Sequence, residues 1–163
     1  MGPHPSRWAS GKDALPPSLT GEGLPQPLHD LVDKRLGRAR GTPVVPGLPL
    51  LFDNDSGTEV AWPDAEATVD WYFGLPRRVT MLTLTAGSTA AAPSDWQLQG
   101  SADGRHWSTL DTRRDERFAW PQQTRAFVVR EPGEYAYYRL QVDAATDARR
   151  ALAEIELLGA DPR

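Results

Sequence analysis

From residue 66 onward, apolar and polar residues alternate with a period of two in a series of short runs. In ATVDWYFGL the apolar positions are Val69, Trp71 and Phe73; in DWQLQGS the alternation falls on Trp96, Leu98 and Gly100. RRVTMLTLTAG is rich in β-branched residues, and HWSTLDT, TRAFVVR, YAYYRLQV and ALAEIELLG follow at strand length. Turn formers such as SADG, EPGE and DAATD separate the runs. No run is long enough to be a helix crossing a sheet. Many short strands without intervening helices predict an antiparallel sandwich or barrel. The pattern therefore predicts one all-β domain over residues 46–160.

The first fifty residues differ. Nine of the 15 prolines lie in residues 1–49, which rules out continuous helix or ladder there. Residues 1–45 read as a linker or tail with one exception. In PLHDLVDKRLGR, Leu28, Leu31, Val32 and Leu36 recur at helical spacing, Pro27 suits a first turn and Gly37 a stop. This predicts a short amphipathic helix over 27–37, packed on the main body.

Composition narrows the function classes. A chain of 163 residues can build one domain with its own core. The net charge of -4 argues against nucleic acid or an anionic membrane as the main partner. There are no cysteines, so disulfides, thiol catalysis and thiolate metal sites are excluded. No stretch approaches the roughly 18 consecutive apolar residues of a membrane helix. MGPHPSRWASGK lacks the apolar centre of a signal peptide. The chain is then either cytoplasmic or a piece of a larger exported protein.

Catalytic signatures are missing from the sequence. His4, His29 and His106 form no spaced cluster, and there is no HExxH, GxSxG or phosphate-cradling loop. The acidic residues spread over turns and solvent faces. The chain reads as a binder or structural module rather than an enzyme. One loop stands apart: LFDNDSGT sets Asp53 and Asp55 two residues apart, with Thr58 following. Asp and Ser populate ordinary β-turns. Carboxylates at this spacing can also converge on a hard cation such as calcium, which takes six to eight oxygens at about 2.4 Å. The loop alone leaves both readings open.

LFDNDSGTEVAW, DWQLQGSADGRHWSTLDT, YYRLQV and LAEIELLG, in this order, resemble the F5/8 type C (discoidin, galactose-binding-like) family, which includes the family 32 carbohydrate-binding modules. The resemblance covers about residues 48–159. LFDNDSGT and FAWPQQTRAF look most like accessory domains of bacterial family 92 α-mannosidases and similar secreted glycosidases. The resemblance implies a jelly-roll β-sandwich. It also implies a structural calcium held by Asp53, Asp55 and Thr58, with the carbonyl of Ala153 and the carboxylate of Glu154 from the last strand. Members often carry a tryptophan two residues after the threonine; here that position is Val60, and Trp62 follows.

A sugar site needs an aromatic face for the apolar side of a pyranose and directional polar groups for its hydroxyls. Trp71, Trp96 and Trp107 fall on strands at core-compatible positions. Trp62 and Trp120 each precede a proline, in AWPDA and AWPQQ, and are the candidate platforms. Arg114, Asp115 and Arg117 are the candidate hydrogen-bonding groups beside them. The expected function is a non-catalytic module that binds glycan and targets a linked, secreted glycoside hydrolase. The alternative is a sandwich of the same fold that stabilises its parent enzyme without binding sugar. An exposed ring face on Trp62 or Trp120 separates the two.

Overall fold

The computed structural model describes residues 27–32, 37–45, 47–62, 66–88, 92–143 and 150–160. Among the described residues, ten strands form two antiparallel sheets: β1 (Leu28–Asp30), β2 (Arg38–Thr42), β3 (Val60–Trp62), β4 (Ala67–Arg78), β5 (Met81–Ala86), β6 (Trp96–Ser101), β7 (Ser108–Arg113), β8 (Thr124–Val128), β9 (Glu134–Val142) and β10 (Arg150–Ala160). One sheet runs β1-β10-β5-β8, with β3 also pairing with β10; the other runs β2-β4-β9-β6-β7. A 3-10 helix (Leu48–Phe52) leads from β2 towards β3.

The alternation seen in the sequence sets the packing. Val69, Trp71 and Phe73 of β4, Trp96 and Leu98 of β6, Tyr138, Leu140 and Val142 of β9, and Leu152, Ile155 and Leu157 of β10 are all buried. They meet in one core between the sheets. Leu51 and Phe52 of the 3-10 helix enter the same core, and the Phe52 ring sits 4.8 Å from that of Trp71. Trp96 meets Phe127 edge-on at 4.9 Å. Each such side chain contributes roughly 1.5–3 kcal/mol through burial. The β-sandwich expected from the sequence is the observed architecture.

The helix expected over 27–37 is not formed at its start. Leu28–Asp30 is a strand, paired antiparallel with Leu158–Ala160 at the end of β10. Asp30 folds its carboxylate onto the Val32 amide, Leu31 donates its amide to the Leu157 carbonyl, and Leu31 and Val32 pack against the core. Residues 33–36 lie outside the described residues. Arg38–Thr42, assigned to the linker from the sequence, is the edge strand beside β4. The physical reason is competition: an isolated helix of about ten residues is marginal in water, whereas β10 and β4 offer unpaired backbone groups that must be satisfied.

Tyr138 pins the turn between β4 and β5. Its hydroxyl lies 2.6 Å from the Arg77 carbonyl and 3.1 Å from that of Gly133, and accepts from the Val79 amide at 3.2 Å. Burial pushes the phenol up to about 12. Tyr138→Phe leaves these backbone groups unpartnered and is expected to cost about 1–3 kcal/mol. Urea unfolding followed by tryptophan fluorescence measures it, and an unchanged midpoint would contradict the role.

Candidate functional site

One end of the sandwich brings together residues 53–58 after the 3-10 helix, Gly87 and Ser88 after β5, Ser94 and Asp95 before β6, the β7–β8 loop and Asp143 after β9. Direct hydrogen bonds tie them together. The Glu116 amide donates to the Ser94 carbonyl and the Gln122 amide to that of Gly87. The Gln122 side chain reaches the Ser56 carbonyl at 3.0 Å, joining the β7–β8 loop to DNDSGT. Glu59 accepts from the Ser88 amide and hydroxyl at 3.0 and 2.7 Å. Among the described residues, three other than glycine hold a positive φ, namely Asn54 (60°), Asp115 (52°) and Gln122 (60°), and all three lie in these loops. Such left-handed conformations persist where surrounding contacts over-determine them, and they concentrate at functional sites.

Within DNDSGT the side chains fold inward. Asp53 accepts from the Asp55 amide at 2.9 Å and from the Thr58 hydroxyl at 2.7 Å. Asp55 turns its own carboxylate onto the Gly57 amide at 2.8 Å. Glu154 arrives from the opposite end of the chain: its Oε1 accepts from the Asp55 amide at 3.0 Å. A β-bulge aims it there. Leu152 pairs with Ala86 and Glu154 with Thr85, so Ala153, fully buried, is the extra residue. The sequence pattern thus brings Asp53, Asp55, Thr58 and Glu154 together across 99 residues.

The chemistry of this cluster fits a cation in part. Glu154 is 6% exposed, and its Oε2 is buried without a hydrogen-bond partner. Burial first, then the adjacent Asp53 carboxyl, pushes Glu154 up to about 8. A buried, orphaned carboxylate oxygen beside a second carboxylate is what a positive charge relieves. Against that, Asp55 is occupied by backbone. Among the described residues no group of three or more His, Cys, Asp or Glu side chains is arranged to hold a metal. The fitting donor set is two carboxylates, Asp53 and Glu154, completed by neutral oxygens.

The candidate sugar platforms separate. Trp62 is 1% exposed and belongs to the core, paired in register with Arg150, so it offers no ring face to a ligand. Its place on a strand, with Val60 also buried, overrides the loop signal of the following proline. Trp120 is 58% exposed on the β7–β8 loop. Arg114 is half-exposed but engaged: it binds Asp143 and approaches Asp95 at 3.6 Å, and Asp143 raises its pKa. Asp115 donates its amide to Asp95 at 2.8 Å. Arg117 pairs with Asp115 at 2.9 Å on the open rim. Trp107, expected in the core, is instead half-buried, with the Arg139 guanidinium over its ring at 4.0 Å. It precedes β7, so the strand alternation does not govern it.

No protein-family model matches the sequence, and no curated protein does. Solved structures do match in fold. The module CpGH89CBM32-6 of Clostridium perfringens is 12% identical, with 82% of this chain and 100% of that one covered at a TM-score of 0.66. The F5/8 type C domain of a Bacteroides fragilis protein is 16% identical over 80% of this chain and 96% of its own, at 0.67. The family 32 carbohydrate-binding module of C. perfringens NanJ, solved in complex with galactose, is 10% identical over 77% and 95%, at 0.62. The fold is the galactose-binding-like β-sandwich of these modules.

Proposed function

We propose that this chain is a non-catalytic carbohydrate-binding module that takes glycan at its loop end. The observation carrying this reading is the Trp120 ring, exposed on a loop that Gln122 fastens to DNDSGT. An exposed indole fixed in place offers a flat apolar surface with little ordering cost on binding. The rim pair Asp115 and Arg117 supplies acceptors and donors for hydroxyls. The fold likeness to the galactose-bound NanJ module supports the same reading. Burial of both candidate rings would favour a module without a sugar site; only Trp62 is buried.

In this reading Asp53 and Glu154, with Thr58 and backbone oxygens, would hold a calcium ion between the DNDSGT loop and β10. When bound, the ion supplies fixed positive charge and no chemistry. The chain's own residues hold the loop that carries Ser56, and through it the Trp120 loop. The module is part of a larger secreted protein whose catalytic portion is a glycoside hydrolase of the family 92 α-mannosidase kind. A weak contact then works by effective concentration at a polymer surface.

A glycan array read in calcium, followed by calorimetry on the best sugar, tests the proposal. A shallow site gives a Kd of about 0.1–1 mM. Trp120→Ala is expected to weaken binding about tenfold, which corresponds to about 1.4 kcal/mol, the upper end of an aromatic stacking contact, while circular dichroism stays unchanged. Full binding by Trp120→Ala removes the platform, and an array without any neutral or amino sugar bound removes the loop-end site.

A further inference from the structure

The outer face of the β2-β4-β9-β6-β7 sheet carries side chains that the loop end does not use. Trp71 and Phe73 point into the core, so Tyr72 between them faces out, and its register partners are Arg38 on β2 and Tyr137 on β9. The two tyrosine rings are stacked at 4.4 Å with planes 21° apart, and Tyr72 is 38% exposed. One face of the Tyr72 ring is covered by Tyr137. On the other side of Tyr72 in the sheet is β2, where its register partner Arg38 is exposed.

The neighbouring row, about 7 Å along the strands, is charged. Arg139 grips Asp70 with two bonds of 2.7 and 2.9 Å and has its guanidinium over the Trp107 ring at 4.0 Å. This bidentate partner accounts for the single negative charge of Asp70. Arg40, opposite Asp70 in register, comes only to 3.8 Å of it and keeps its side chain 75% exposed. In the paired rows of β2, β4 and β9, Arg38, Arg40 and Arg139 thus stand against one carboxylate, Asp70, while Asp103 beyond Ser101 is engaged by the Arg105 and His106 amides and the His106 ring. Beyond them Gln99 donates to Gln97 and Gln141 at 3.3 and 3.2 Å, a row of amides suited to hydroxyls.

We propose that this sheet face is a second binding surface, for an anionic polysaccharide of the uronan class. The chain lies along β2 and β4, with a sugar ring against the exposed part of the Tyr72 ring and carboxylates on Arg38 and Arg40. Charge complementarity selects an acidic partner. The outward groups of these rows are Tyr, Arg, Asp, Thr and Gln, without the aliphatic centre a protein interface buries. A single exposed ring gives one stacking contact, whereas single-stranded nucleic acid is held by a run of them. This surface does not depend on the loop-end site.

Affinity electrophoresis of the chain in gels containing polygalacturonate, alginate or neutral dextran tests it, with a single-stranded oligonucleotide in a parallel binding assay. Both uronans are expected to retard the protein and dextran is not, and the retardation weakens with salt. The double variant Arg38→Ala/Arg40→Ala is expected to lose about tenfold or more in affinity, the scale of one or two exposed charged contacts. Its melting temperature should match the parent, because both side chains are exposed. Trp120→Ala should bind uronan as the parent does. Absence of uronan binding, an unaffected double variant, loss in Trp120→Ala, or tighter binding of the oligonucleotide through the same arginines would each overturn the proposal. A failed neutral-glycan array would sink the loop-end reading and leave this one standing.

Discussion

Calcium added to the chelated protein is expected to raise its melting temperature by about 10 °C. A ligand that binds only the folded state contributes about 4 kcal/mol at 1,000 times its Kd, and 1 kcal/mol moves the melt of a domain this size by about 2–4 °C. The cause is local. Without a cation, Glu154 is buried beside Asp53 with one oxygen unpartnered, and its carboxyl is pushed up from 4.5 to about 8. The folded state therefore holds that proton more tightly than the unfolded one. The corresponding stability is fully present below about 4.5 and is lost as pH rises through about 8. In chelator the melting temperature should fall between these limits; with calcium the ion takes the proton's place and the fall flattens. Glu154→Gln keeps an acceptor for the Asp55 amide and removes the charge. It should melt above the parent in chelator at pH 8 and gain nothing from calcium. Identical melts of the parent in chelator and in calcium would remove the ion from this loop.

Trp62→Ala is expected to cost about 3–5 kcal/mol of stability, the range for truncating a large aromatic core residue. That corresponds to a melting temperature lower by about 10 °C or more in a domain of this size. Trp62 is 1% exposed, follows the buried Val60 by two residues, and seals the junction where β3 meets the start of β10. Trp120→Ala, by contrast, removes a ring that is 58% exposed and should change stability by no more than about 0.5 kcal/mol. The pair of melts separates a core tryptophan from a binding one. A Trp62→Ala variant that melts with the parent would return this residue to the loop end.

The candidate cation cluster was partly legible before folding because its donors sit in a turn of marked composition. DNDSGT advertises itself by two carboxylates in a short loop. That Glu154 is the residue reaching it rests on the bulge at Ala153, whose extra residue no alternation rule predicts. The tie between Gln122 and Ser56 left no trace in the sequence, since glutamine in a loop is ordinary. Trp62 and Trp120 carry the same local signal, a following proline. One lies on a short strand covered by the opposite sheet and the other on an open loop.

The sequence by itself determined the strand runs from Ala67 to Ala160 and, among the described residues, the lack of long helices, because period-two burial is a local property of each run; the alternation allowed a sandwich or a barrel, and the family resemblance pointed to the sandwich. Tertiary structure decided what local pattern cannot rank. The amphipathic stretch after Pro27 begins as strand because the end of β10 offers unpaired backbone there. Residues 38–42 close the other sheet for the same reason beside β4. Alternation divides side chains between two faces but does not say what lies over each. So Trp107 and the arginines of β2 and β9 came to share an outer face only once the strand order and register were fixed.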